Sequence, residues 1–101
     1  MLNINKTIEN NVVTIESEGR LDTASAPQLQ AVVDEVIGDV GAFVFDFKKL
    51  EYLSSAGLRI LLTTQQIMEE TGRPDVTVTG ANDGIRSVFA ITGFDNVLNV
   101  R

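Results

Sequence analysis

The chain has no cysteine, no histidine and no tryptophan, and only two prolines among 101 residues. Without cysteine there is no disulfide, no thiolate nucleophile and no thiolate metal ligand. Without histidine there is no imidazole to act as a general base near neutral pH, and zinc sites of the usual ligand types are excluded. Any catalysis would have to run on Asp, Glu, Ser, Lys and Arg. Positive charge is also scarce: 8 Lys and Arg stand against 14 Asp and Glu, a net charge of −6. Nucleic acid and anionic membranes demand clustered basic residues, so neither is an expected partner, and a basic or neutral surface is. No apolar run approaches the roughly 20 residues that cross a bilayer. The opening MLNINKTIEN lacks the apolar segment of a secretory signal, which makes a cytoplasmic location the expectation. There is no phosphate-binding glycine loop, no calcium loop and no internal repeat, and no metal or other cofactor is expected.

What is present reads as one globular domain over residues 1–101, with 44% hydrophobic and 22% charged residues. Leu2 and Ile4 alternate with Asn3 and Asn5. After the turn-prone Glu9-Asn10-Asn11, Val13, Ile15 and Ser17 alternate with Thr14, Glu16 and Glu18. This is a hairpin at a sheet edge or with one wet side. Thr23, Ser25 and Pro27 open a helix whose apolar residues, Leu29, Val32, Val33, Val36 and Ile37, keep helical spacing up to Gly38 or Gly41. AFVFDF, residues 42–47, is apolar on both faces until Asp46 and predicts a central strand covered on both sides. Lys48 and Lys49 are expected in a solvated loop. A second helix carries Leu58, Leu61, Leu62 and Met68 on one stripe and Ile60 and Ile67 beside it, and stops at Thr71-Gly72-Arg73-Pro74. Val76 and Val78 alternate with Thr77 and Thr79. Ile85, Val88, Phe89 and Thr92 trace a short helix closed by Gly93, and Val97, Leu98 and Val100 a last strand. The order ββαβαβαβ predicts an α/β fold with a mixed, mostly parallel sheet and helices packed on it.

The segment EYLSSAGLRILL, residues 51–62, poses the functional question. Two adjacent serines precede a helix. One hydroxyl suffices as a cap, for typically about 1 kcal/mol, which leaves the other free. Gly57 is a poor residue for a first helical turn unless something approaches the backbone closely there. A helix start of this kind tolerates a phosphate, because its free N–H groups and dipole favour an anion.

Three segments in order, GRLDTASA, FVFDFKKLEYLSSAGLRILL and SVFAITGFDNVLNV, resemble the STAS domain family, specifically the bacterial anti-sigma factor antagonists. The resemblance covers the whole chain. It implies that the phosphorylated serine is Ser55, two residues before Gly57, with Ser54 as rival because it stands where the family often has Asp. Ala56 stands where the family often has Ser or Thr, and Arg59 where it frequently has a small residue. Arg59 lies one turn after Ser55, in position to pair with a phosphate or to contact a partner. Asp22 either stabilises the turn into the first helix or, as the resemblance implies, faces the partner.

The resemblance further implies a partner-switching cycle. The unphosphorylated protein binds an anti-sigma factor that is also a serine kinase, freeing a sigma factor. Phosphorylation ends that complex and a serine phosphatase resets it. The expected partner surface comprises Leu21, Asp22, Thr23, Ser54, Ser55, Ala56, Gly57, Leu58 and Arg59, on a protein that is monomeric when free and is no enzyme. The alternative is a STAS module of another assembly, transporter-associated or a stress-signalling scaffold, in which the serine is not modified.

Overall fold

The structure, a computed structural model, describes residues 2–101. Leu2–Glu9 (β1) and Val12–Leu21 (β2) form the expected hairpin. Its two-residue turn places Asn10 at φ 51° and Asn11 at φ 67°, the left-handed backbone that a tight hairpin needs and asparagine tolerates. There follow Ala26–Val36 (α1), Ala42–Leu53 (β3), Ser55–Glu70 (α2), Thr77–Thr79 (β4), Asp83–Thr92 (α3) and, after a 3-10 turn at Phe94–Asn96, Asn99–Val100 (β5). The ββαβαβαβ order is the one read from the sequence. Val97 and Leu98, expected in the last strand, instead leave the 3-10 turn, with Leu98 buried.

The sheet order is β1-β2-β3-β4-β5, with β1 antiparallel to β2 and every other pair parallel. Each parallel step crosses through a helix and moves one strand in the same direction. Right-handed crossovers that all step one way put their helices on one face. The core lies on that face, where Val13, Ile15, Phe43, Phe45, Phe47 and Val78 meet Leu29, Val33, Leu61, Met68, Ile85 and Phe89, all buried. The other face is open: Thr14, Val44, Asp46, Thr77 and Thr79 are only half-buried. This corrects the expectation that β3 is covered on both sides. Its apolar run is explained by three core-facing phenylalanines interleaved with residues shielded only by neighbouring strands.

The loop expected at Lys48 and Lys49 is a second correction, because β3 continues through them to Leu53. Asp46 pairs with Glu16 but Lys49 with Glu18, and Leu50 with Gly19 but Tyr52 with Arg20. Each shift inserts one extra residue into β3, a bulge that breaks period-two alternation and hides the strand from pattern reading. After both bulges β2 and β3 end level, with Leu21 beside Leu53. The Ser54 N–H then donates to the Leu21 carbonyl at 2.9 Å. The starts of α1 and α2 are thereby brought side by side at the carboxyl edge of the parallel strands, where open α/β sheets place their sites.

Candidate functional site

The start of α1 is closed by its own polar groups. Asp22 Oδ1 accepts from the backbone N–H of Ala24 at 3.1 Å and of Ser25 at 3.0 Å. The Ser25 hydroxyl accepts from the Asp22 N–H at 3.0 Å and has one proton to share between the Arg20 carbonyl at 2.8 Å and Asp22 Oδ1 at 3.1 Å. The N–H of Ser25, then its hydroxyl and the N–H of Ala24, hold the Asp22 carboxyl below its ordinary value, against the opposing pull of partial removal from water. The turn-forming reading of Asp22 is therefore present in the geometry. Its other carboxylate oxygen has no hydrogen-bond partner among the described residues.

The start of α2 divides its two serines. Ser54 is the N-cap, with extended backbone and a side-chain oxygen that accepts from the Gly57 N–H at 3.4 Å. Ser55 is the first helical residue, and its exposed hydroxyl has no hydrogen-bond partner among the described residues. Ser55 is thus the serine of the pair whose side chain makes no hydrogen bond among the described residues. Gly57 has a packing reason for being glycine: a Cβ there would stand 2.6 Å from Leu53 Cδ1 and 2.8 Å from Leu21 Cγ. What approaches its backbone is the core itself.

The residues singled out in the sequence come together around this edge, at different depths. Thr23, Ser55 and Arg59 are exposed, and Ser54, Ala56 and Leu58 half-buried, while Leu21 and Gly57 are buried beneath them. An open groove of about 550 Å³ runs between the first turns of α1 and α2, lined by Thr23, Pro27 and Gln30 on one side and Ser55, Arg59 and Ile60 on the other. Gln30, Pro27 and Ile60 join the site only through this packing of helix on helix. The Arg20 guanidinium also stacks on the exposed Tyr52 ring, 4.3 Å from its centroid, at the level where β2 and β3 end. Only the register past two bulges makes them neighbours. Among the described residues, no cluster of three or more acidic side chains is placed to hold a metal ion.

Comparison with known proteins agrees with the fold. The family model described as "Mlab, STAS domain" matches residues 4–99, and the chain belongs to the STAS domain family. It is 33% identical over 85 residues to BtrV of Bordetella bronchiseptica, a candidate anti-sigma factor antagonist, covering 82% of this chain and 72% of that protein. The crystal structure of an anti-sigma factor antagonist from Mycobacterium paratuberculosis superposes with a TM-score of 0.86 at 24% identity, covering 99% of this chain and 85% of the other. A sulfate transporter family protein from Wolinella succinogenes shares the fold as well, with a TM-score of 0.74 at 20% identity, over 92% of this chain and 75% of that one.

Proposed function

We propose that the protein is an anti-sigma factor antagonist switched by phosphorylation of Ser55. The observation that carries this reading is the division of labour at the start of α2: Ser54 is used by the fold as a cap, and Ser55 presents to solvent a hydroxyl with no hydrogen-bond partner among the described residues. In the unmodified state the surface around Ser55 docks an anti-sigma factor with serine kinase activity. The docking surface of this reading comprises Asp22, Thr23, Ser54, Ala56, Leu58 and Arg59, with Leu21 and Gly57 buried at its base. The kinase transfers the γ-phosphoryl group of Mg-ATP. The bond from the γ-phosphorus to the bridging oxygen breaks, the bond to Ser55 Oγ forms, ADP leaves, and a base of the kinase takes the hydroxyl proton. A serine phosphatase restores the hydroxyl by hydrolysis, with water as the nucleophile and inorganic phosphate as the product.

The protein acts in this cycle as a cytoplasmic substrate and binder, not as a catalyst. A phosphate adds about −1.5 to −2 charge at neutral pH, on a chain already at −6. A partner surface built to desolvate a neutral hydroxyl then meets a charge it does not compensate. The test is to isolate the kinase partner by pull-down, incubate it with the chain and Mg-ATP, and map the product by intact-mass and tandem mass spectrometry. One phosphate on Ser55, abolished by Ser55→Ala, is expected; phosphate on Ser54, or none, contradicts the assignment. The likeness to the sulfate transporter family protein favours one other reading, a transporter-associated module using the same surface without modification. An unmodified chain that captures a transporter subunit would establish it.

A further inference from the structure

The groove beside Ser55 differs in charge from the chain that builds it. Among the described residues no carboxylate lines it and Arg59 is its one ionic group, although the chain carries 14 acidic residues. Arg59 is exposed, and its guanidinium makes neither an ion pair nor a hydrogen bond among the described residues. It stands four residues after Ser55 on α2, so the two side chains share one face, with Cβ atoms about 5–6 Å apart. Helical side chains lean toward the N-terminus of their helix, which carries the guanidinium toward the Ser55 hydroxyl. Both residues line the same groove.

Resting on phosphorylation of Ser55 as read above, we propose that Arg59 is the intramolecular receptor for that phosphate, and that the resulting pair occupies the α2 side of the groove between α1 and α2. A guanidinium offers a fork of N–H donors that matches two phosphate oxygens, which a lysine ammonium does not. The modified state is then set by two changes: an added charge, and a groove narrowed on its α2 side. Arg59 is also withdrawn from any acidic group of the partner that it meets in the unmodified complex.

The test needs no kinase. Phosphoserine is placed at position 55 of the full chain during synthesis, and its second ionisation, near 6 for the free group, is followed by phosphorus NMR against pH. A neighbouring cation favours the dianion, so the wild-type phosphate is expected to titrate lower than that of Arg59→Ala by about half a pH unit or more. Arg59→Lys falls between them, keeping charge without the fork. From α1 and the turn before it the groove is faced by Thr23, Pro27 and Gln30, none of them charged. The nearby Asp22 carboxylate is engaged with the Ala24 and Ser25 N–H groups, so Asp22→Asn should leave the difference intact. The Gln30 side-chain amide signals should move on phosphorylation in wild type and stay put in Arg59→Ala. Equal titration in wild type and Arg59→Ala overturns the pairing, and Gln30 signals that respond alike in both overturn its placement in the groove. Because the phosphate is installed synthetically, a kinase that ignores Ser55 would sink the functional reading and leave this result standing. A failure here would leave the kinase assay untouched.

Discussion

The two helix starts at the carboxyl edge of the sheet are built from the same kinds of residue and end in opposite states. At α1, one carboxylate oxygen and one hydroxyl close on backbone groups within five residues of each other, through contacts of 2.8–3.1 Å. At α2, a single hydroxyl makes one long cap bond of 3.4 Å, and the hydroxyl beside it has no partner among the described residues. The first start is finished by the fold, and the second leaves a hydroxyl that the fold does not use. Adjacent serines thus differ in role because a cap position takes an extended backbone while the next residue is already helical. A hydroxyl on the first helical residue points out from the turn it begins.

This contrast can be broken deliberately. Gly57→Val should have the largest effect, because its side chain would enter the space held by Leu53 and Leu21. Overpacking of this kind costs about 2–3 kcal/mol, read as a lower midpoint in denaturant unfolding. Asp22→Ala comes next, removing the acceptor for two N–H groups and lowering the melting temperature by roughly 5 °C. Asp22→Asn keeps an acceptor oxygen and separates turn from charge. Since the folded-state carboxyl is held below its ordinary value, the stability its charge contributes is present above about pH 4 and lost as pH falls through the folded value. Asp22→Asn should therefore match wild type more closely at pH 3 than at pH 7 in melting curves.

Smaller effects separate the two serines. Ser54→Ala should cost about 0.5–1 kcal/mol through its cap. Ser55→Ala should change stability by less than about 0.5 kcal/mol while removing the modification. If Ser55→Ala proves the more destabilising of the two, the assignment of cap and free hydroxyl is reversed.

Much of this arrangement was legible in the residues themselves. The amphipathic spacing of Leu29, Val33 and Val36 in α1 and the alternation of Val13, Ile15 and Ser17 in β2 are local signals, and both elements stand where they were read. The serine pair was legible because its neighbours carry a family resemblance. Hidden were features set by long-range pairing: the second half of β3, masked by its bulges, and the groove between α1 and α2, which exists only once the helices pack. The role of Gly57 was half legible. Its misfit in a first turn signalled a close approach, yet only the register of Leu21 against Leu53 shows that the approach comes from the core. In the sequence Arg73 signals only a helix stop, but its guanidinium donates to the carbonyls of Ile37 at 2.6 Å and Val40 at 2.7 Å, tying the end of α2 to the loop after α1. No local pattern announces a contact across 36 residues.

The most direct test of the switch is to measure fold stability and partner affinity on the same samples: the unmodified chain, the chain phosphorylated at Ser55, and Ser55→Asp. Melting curves report stability, and calorimetric titration with the isolated kinase partner reports affinity. A charge on an exposed first helical turn meets the favourable end of the helix dipole, so both altered forms should melt within a few degrees of the unmodified chain. An uncompensated charge at a docked surface costs about 2–5 kcal/mol, so the phosphorylated chain should bind at least about tenfold more weakly. Ser55→Asp should reproduce part of that loss, having less charge and fewer acceptor oxygens. A phosphorylated chain that binds as tightly as the unmodified one, or that unfolds, would contradict a local electrostatic switch at Ser55.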